Sequence, residues 1–235
     1  MEAIKRKLRA GAANTTGYLA TRVGRATLRM GSYPGRSLVG GAWRKRSEKR
    51  GGRPFFVRST DGTRLAAWYS PAIDPPSGEE RPARLPVLMS HGWCEVKELH
   101  FRRAWRLNAQ GHDVVLFDHR SHGRSHGKFI TFGVQERHDT AAVADESIRS
   151  GFFPGDRFVT LGFSLGAAVV IQHASIDPRV AAVVAMAPYV DFRQAVLSFR
   201  DCWAPWIGES WLLAGFERAT REANFALDEA STLRA

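Results

Sequence analysis

The chain has 235 residues, 44% of them hydrophobic and 24% charged, which is the balance of an ordinary globular protein with one sizeable core. No apolar run approaches the roughly 20 residues that span a bilayer. The two cysteines, Cys94 and Cys202, form no disulfide framework and fit a reducing cytoplasm.

The net charge of +11 is concentrated at one end. Residues 1–58 hold 15 Lys/Arg against Glu2 and Glu48 alone, a net +13, while the other 177 residues are close to neutral. Residues 1–52 therefore read as a basic arm. Lys5, Arg6, Lys7 and Arg9, then Arg22, Arg25 and Arg29, fall at roughly helical spacing. Such an arm suits an anionic membrane surface, which would leave the protein cytoplasmic and peripheral to the membrane. A merely solvated leader accounts for the same charge. Nucleic acid is the weaker candidate partner, because no recognition motif accompanies the charge.

Residues 53–191 carry the pattern of a core. Phe55-Phe56-Val57 and Leu65 to Tyr69 flank the turn signal Asp61-Gly62, which predicts a hairpin. Pro71 to Pro86 reads as a surface loop. Pro86 to Ser90 is a short buried strand ending at His91-Gly92-Trp93. Val96 to Gln110 reads as a helix closed by Gly111. Val114 to Phe117 is another buried strand, ending at Asp118. A loop from Ser121 to Gly133 leads to a helix over 135–150. Phe158 to Leu161 is a strand, Leu165 to Ser175 a helix, and the apolar run Val180 to Met186 predicts a strand buried on both faces. Alternating strands and helices imply a mostly parallel, doubly wound sheet.

Residues 192–235 differ in being helical and aromatic, with Phe192, Phe199, Trp203, Trp206, Trp211, Phe216 and Phe225. They read either as packed helical core or as a lid over an apolar pocket.

Three motifs carry chemistry. Gly162-Phe163-Ser164-Leu165-Gly166 lies between a strand and a helix, the layout that lifts a serine hydroxyl above a sheet. Bulky residues at Gly162 or Gly166 would clash with so sharp a turn. His91-Gly92-Trp93 ends a strand, where backbone N–H groups of Trp93 and Leu165 would face a developing oxyanion; the side chain of His91 reads as structural. The third motif is Asp118-His119-Arg120-Ser121-His122-Gly123-Arg124-Ser125.

In this order and spacing the three motifs resemble the α/β-hydrolase superfamily, and most closely the serine aminopeptidase-like hydrolases. Gly133-Val134-Gln135-Glu136 and Asp139 resemble that group too. The resemblance covers about residues 55–235. Ser121 departs from it, standing where the family usually has glycine. It implies Ser164 as the nucleophile of an ester, amide or peptide hydrolase. It further implies an acyl-serine intermediate, Trp93 and Leu165 as oxyanion donors, and loop-ordering roles for Asp118 and Arg120. The aromatic tail favours a small-molecule substrate with an apolar acyl group. No cofactor is implied. A metal site at His119, His122 and His126 is set aside, since the loop motif accounts for His122 and no carboxylate pair completes a site.

The resemblance also implies a triad acid after the seventh strand and a histidine after the eighth. No histidine follows His173, and the chain ends in what resembles the linker before the seventh strand. Asp191 is a weak candidate acid, with helix capping as its alternative role. A sheet lacking its last two strands would expose Val180 to Met186 as a self-associating edge. A shortened hydrolase and a non-catalytic binding protein of the same fold both fit this sequence.

Overall fold

The computed structural model describes residues 17–29, 40–73 and 84–232. Lys5, Arg6, Lys7 and Arg9, and residues 74–83 of the expected surface loop, lie outside them.

A six-stranded sheet has the order β1-β2-β4-β3-β5-β6. Strands β1 (Arg53–Arg58) and β2 (Arg64–Ser70) form the expected antiparallel hairpin. Strand β2 joins β4 (Val114–Phe117) antiparallel. From there β4, β3 (Val87–Ser90), β5 (Phe158–Phe163) and β6 (Val180–Met186) run parallel. Antiparallel entry followed by parallel crossovers is the mixed sheet that the alternating sequence pattern predicts.

The central strands feed two layers at once. Along β4, Val114 and Leu116 point into one cluster with Trp68, Met89 and Phe101, while Val115 and Phe117 point into another with Leu65, Leu88 and Phe158. Period-two alternation with apolar residues on both faces is the reason Val-Val-Leu-Phe has no polar position. Helices α2 (Gly40–Glu48) and α3 (Phe101–Ala109) pack on the first face, with Trp43 and Trp105 against that cluster. Helices α4 (Glu136–Arg149) and α5 (Leu165–Ala174) cover the second. Helix α5 is apolar nearly all round because it is buried nearly all round.

Strand β6 departs from one expectation and meets another. The unbroken apolar run predicts burial on both faces, yet Val183, Val184 and Met186 are 39%, 44% and 51% exposed. Among the described residues β6 pairs with β5 alone, so it is the sheet's edge. Strand composition records what a segment is able to pack against, not whether a neighbour covers it.

A helix over residues 17–29, α1, crosses α7 (Glu209–Glu222). Ala20 and Leu28 are buried, and Gly24 and Gly215 let the two backbones touch, since a methyl at either position would meet backbone or Cβ atoms of the other helix. Arg25 forks onto Glu222. Residues 17–29 and 40–48, which charge alone assigns to an arm, are thus packed helices. No described helix is long and apolar enough to cross a membrane.

Candidate active site

Ser164 sits between the last residue of β5 and the first of α5, with φ 50° and ψ −112°. A positive φ at a non-glycine residue costs on the order of 1 kcal/mol, and here the surroundings enforce it. The Ser164 N–H donates to the Met186 carbonyl at 2.9 Å, and its own carbonyl accepts from Ala167 and Ala168 at 3.0 and 3.2 Å. A methyl at Gly162 would run into the Gly166 carbonyl. One at Gly166 would run into the Ser90 and His91 carbonyls at the end of β3. The two glycines therefore allow α5 to start directly against the β3 end, beside the loop that carries Trp93.

Buried histidines brace that loop. His91 Nδ1 lies 2.7 Å from the Gly92 carbonyl and its Nε2 accepts the His119 backbone N–H at 3.1 Å. His122 Nδ1 lies 2.9 Å from the Arg120 carbonyl, and its Nε2 accepts the Cys94 N–H at 3.2 Å. Both rings are thus held neutral, with Nδ1 as donor and Nε2 as acceptor. Burial, aided by the neighbouring histidines, holds His91 well below the ordinary imidazole range; burial pushes His119 down to about 3. Both ring nitrogens of His91 and of His122 are engaged with backbone groups.

Asp118 accepts from the Lys97 N–H at 2.9 Å, the Lys97 ammonium at 2.6 Å and the Arg124 N–H at 2.9 Å. Burial is the largest single influence and works to raise its carboxyl, but Lys97 together with the Arg124 N–H and its other neighbours brings it below the usual carboxylate range. Arg120 forks onto Asp139 with both bonds at 2.7 Å and reaches Asp61 at 2.9 Å. These two motif residues order the loop. Ser121, at the position where glycine is usual, has φ 62°, so the backbone there takes the shape that glycine accommodates most easily.

Above Ser164 lies a cavity of about 410 Å³. Its floor is Ser164, Leu165, Trp93 and Phe132. Its far wall is α6 (Phe192–Trp203) with α7, through Phe192, Val196, Phe199, Leu212 and Phe216; Val23 and Thr27 of α1 close one side. Phe132 stacks on Phe192 at 3.7 Å, and Trp93 meets Phe132 and Phe199 edge-on. The N–H groups of Trp93 and Leu165 donate to no backbone acceptor among the described residues.

Among the described residues neither imidazole nor carboxylate lines this cavity. Asp191 caps α6, accepting the Gln194 N–H at 3.0 Å. His173 faces the Arg137 carbonyl at 3.2 Å and Asp177 at 3.4 Å, on the α4 side of the sheet. Among the described residues no group of three or more His, Cys, Asp or Glu could hold a metal ion.

The part of the cavity built by α1 has no counterpart in the motifs. Ala20, Gly24 and Leu28 recur at four-residue spacing, a stripe that marks a packed helix; the surrounding arginines mask it. Phe132 and Tyr189 carry no motif signal either. Phe132 has φ 52° and its carbonyl accepts from the Tyr189 hydroxyl at 2.5 Å.

Mixed sheet, strained serine and crossovers define an α/β-hydrolase. The family model for serine aminopeptidase, S33, matches residues 81–228, and the chain belongs to that family. An uncharacterized protein of Mycobacterium tuberculosis is 33% identical over 61% of this chain and 48% of its own length. A polyketide transferase of Stachybotrys chlorohalonatus is 33% identical over 57% of this chain and 44% of its own. The chain thus spans about half the length of the curated relatives it matches. An esterase of Pyrococcus furiosus has the same fold, with TM-score 0.56, 25% identity and coverage of 77% of this chain and 67% of that one. An α/β-hydrolase of a Penicillium species follows, with TM-score 0.51, 25% identity and coverage of 74% and 56%.

Proposed function

We propose that the protein is a serine hydrolase that cleaves esters of apolar acyl groups through an acyl-Ser164 intermediate. The observation that carries this reading is a serine held at φ 50° at the floor of an apolar, aromatic-walled cavity of about 410 Å³. The Ser164 hydroxyl gives up its proton and attacks the acyl carbonyl, the alcohol leaves with a proton, and water then cleaves the acyl-Ser164 ester to release the acid and restore the hydroxyl. The Leu165 and Trp93 N–H groups receive the oxyanion, with the α5 N-terminus adding a favourable dipole. The acyl chain lies along Phe192, Val196 and Phe199, under α6 and α7 acting as a lid. An acyl-serine also serves transfer to an acceptor other than water, in line with a relative named a polyketide transferase.

Ser164 must lose a proton in this chemistry, and among the described residues the cavity wall supplies neither imidazole nor carboxylate to accept it. The reaction therefore needs a base delivered from beyond the described residues. A fluorophosphonate probe tests the reading: covalent labelling at Ser164 is expected, faster with added imidazole and lost in Ser164→Ala. A folded protein that resists the probe even with imidazole overturns it.

The apolar, aromatic lining of the cavity favours a second reading, in which the same cavity holds an apolar acyl ligand without turning it over. Stoichiometric retention of such a ligand, undiminished in Ser164→Ala and without labelling, distinguishes it.

A further inference from the structure

Helices α2 and α3 form a cationic groove on the side of the sheet opposite α4 and α5. Trp43, Arg46, Arg102, Trp105, Arg106 and Ala109 line this open cleft of about 490 Å³. Arg46 and Arg50 lie over the Trp105 ring at 5.5 and 4.8 Å, and Trp43 meets that ring at 5.8 Å. Residues 41–50 and 101–110 together hold eight Lys/Arg against Glu48 alone. Among the described residues Arg46, Arg50, Arg102 and Arg106 join no ion pair, whereas Arg44 beside them pairs with Glu98.

This arrangement is unfavourable in isolation. Arg102 and Arg106 stand four apart on α3, and Arg46 and Arg50 four apart where α2 ends; like charges at that spacing repel. Arg46 and Arg50 share the Trp105 ring and are both exposed, so their guanidinium donors are open to a ligand. An anion in the groove would relieve the repulsion and accept those donors in the bidentate fashion suited to phosphate.

We propose that the α2–α3 face docks the protein on an anionic phospholipid surface, with headgroup phosphates held by Arg46, Arg50, Arg102 and Arg106 and the two indoles at headgroup level. Cations beside tryptophan on neighbouring helices match such an interface in charge and in polarity. Nucleic acid fits less well. Base stacking needs a free aromatic face, and guanidinium groups already occupy the Trp105 ring. The surface stands apart from Ser164 and holds whether or not that serine is reactive.

The test is sedimentation of the full chain with phosphatidylcholine vesicles, alone or mixed with phosphatidylserine. Binding to the mixed vesicles only, weakened by salt, is expected. Arg102→Gln/Arg106→Gln should weaken it roughly thirty-fold, about five-fold for each guanidinium removed from the anionic surface. The exposed pair Arg157→Gln/Arg221→Gln changes net charge equally at a distance and should leave it nearly unchanged. Wild-type protein that ignores anionic vesicles, an equal loss in both double variants, or binding to single-stranded oligonucleotide in preference to vesicles each overturns the proposal. Unaltered circular dichroism of the variants keeps a folding defect from imitating the result.

Discussion

Two imidazoles packed behind the Trp93 loop, His91 and His119, make the site's scaffold sensitive to acid. His91 and His119 touch ring to ring at 4.6 Å and are fully buried, and both are held neutral chiefly by desolvation. In the unfolded chain each titrates near about 6.5. Below that pH the unfolded state takes up protons that the folded state refuses, so the stability that neutrality contributes is complete above about pH 6.5. It falls as pH drops toward the folded value of about 3 for His119. Two such groups give a slope of roughly 2.7 kcal/mol per pH unit, and His173, also lowered by burial, acts in the same direction. Urea midpoints measured between neutral and mildly acid pH should fall accordingly. In His119→Gln, which retains a donor toward the His91 carbonyl, the fall should shrink by roughly a third. A midpoint independent of pH over that range would contradict the neutral, buried assignment of these rings.

The lid-like wall of the cavity depends on how α1 lies on α7. Gly215 faces the Ala20 carbonyl so closely that a methyl there has no room, and Gly24 faces the Gly215 carbonyl in return. Gly215→Ala should lift α1 from α7, withdraw Val23 and Thr27 from the cavity, and cost about 1–3 kcal/mol. Limited proteolysis should then cut within residues 17–29 while the sheet stays protected; resistance equal to the wild type would show that α1 does not hold the wall. This element also marks how far the sequence is legible. The hairpin, the parallel strands and the Ser164 turn can be read because each is specified locally, by Asp61-Gly62, by unbroken Val/Leu runs and by paired glycines. Asp191 is ambiguous in sequence because a carboxylate after a strand can serve as cap or acid, and the structure shows it accepting the Gln194 N–H as a cap. Helix α1 is hidden because its arginines dominate its composition, whereas its role rests on Ala20, Gly24 and Leu28 meeting a surface 190 residues away in the chain.

At the scale of the whole molecule the largest imbalance is the β6 side. The cost of exposing Val183, Val184 and Met186 is set by tertiary coverage, which no local pattern encodes, so the run that predicts a doubly buried strand ends as an edge. The outward backbone groups of β6 have no strand partner among the described residues, and the side chains beside them are β-branched and apolar. That combination is a template for pairing with another chain. Ile176 and Val190, 42% and 52% exposed, extend the apolar surface beyond the strand's two ends. The body carries almost no net charge to oppose contact, since the excess cations lie in residues 1–58. The chain should therefore associate as concentration rises, and sedimentation velocity should register the shift. A lysine at the edge is the usual natural block, and Val184 is exposed enough to accept one without loss of core. Val184→Lys should hold the protein monomeric at concentrations where the wild type associates, with its urea midpoint changed by less than about 0.5 kcal/mol equivalent, as for a surface substitution. The α2–α3 groove predicts the opposite dependence: Arg102→Gln/Arg106→Gln leaves self-association intact. If that variant dissociates the oligomer and Val184→Lys does not, association runs through the cationic face and the β6 edge is innocent.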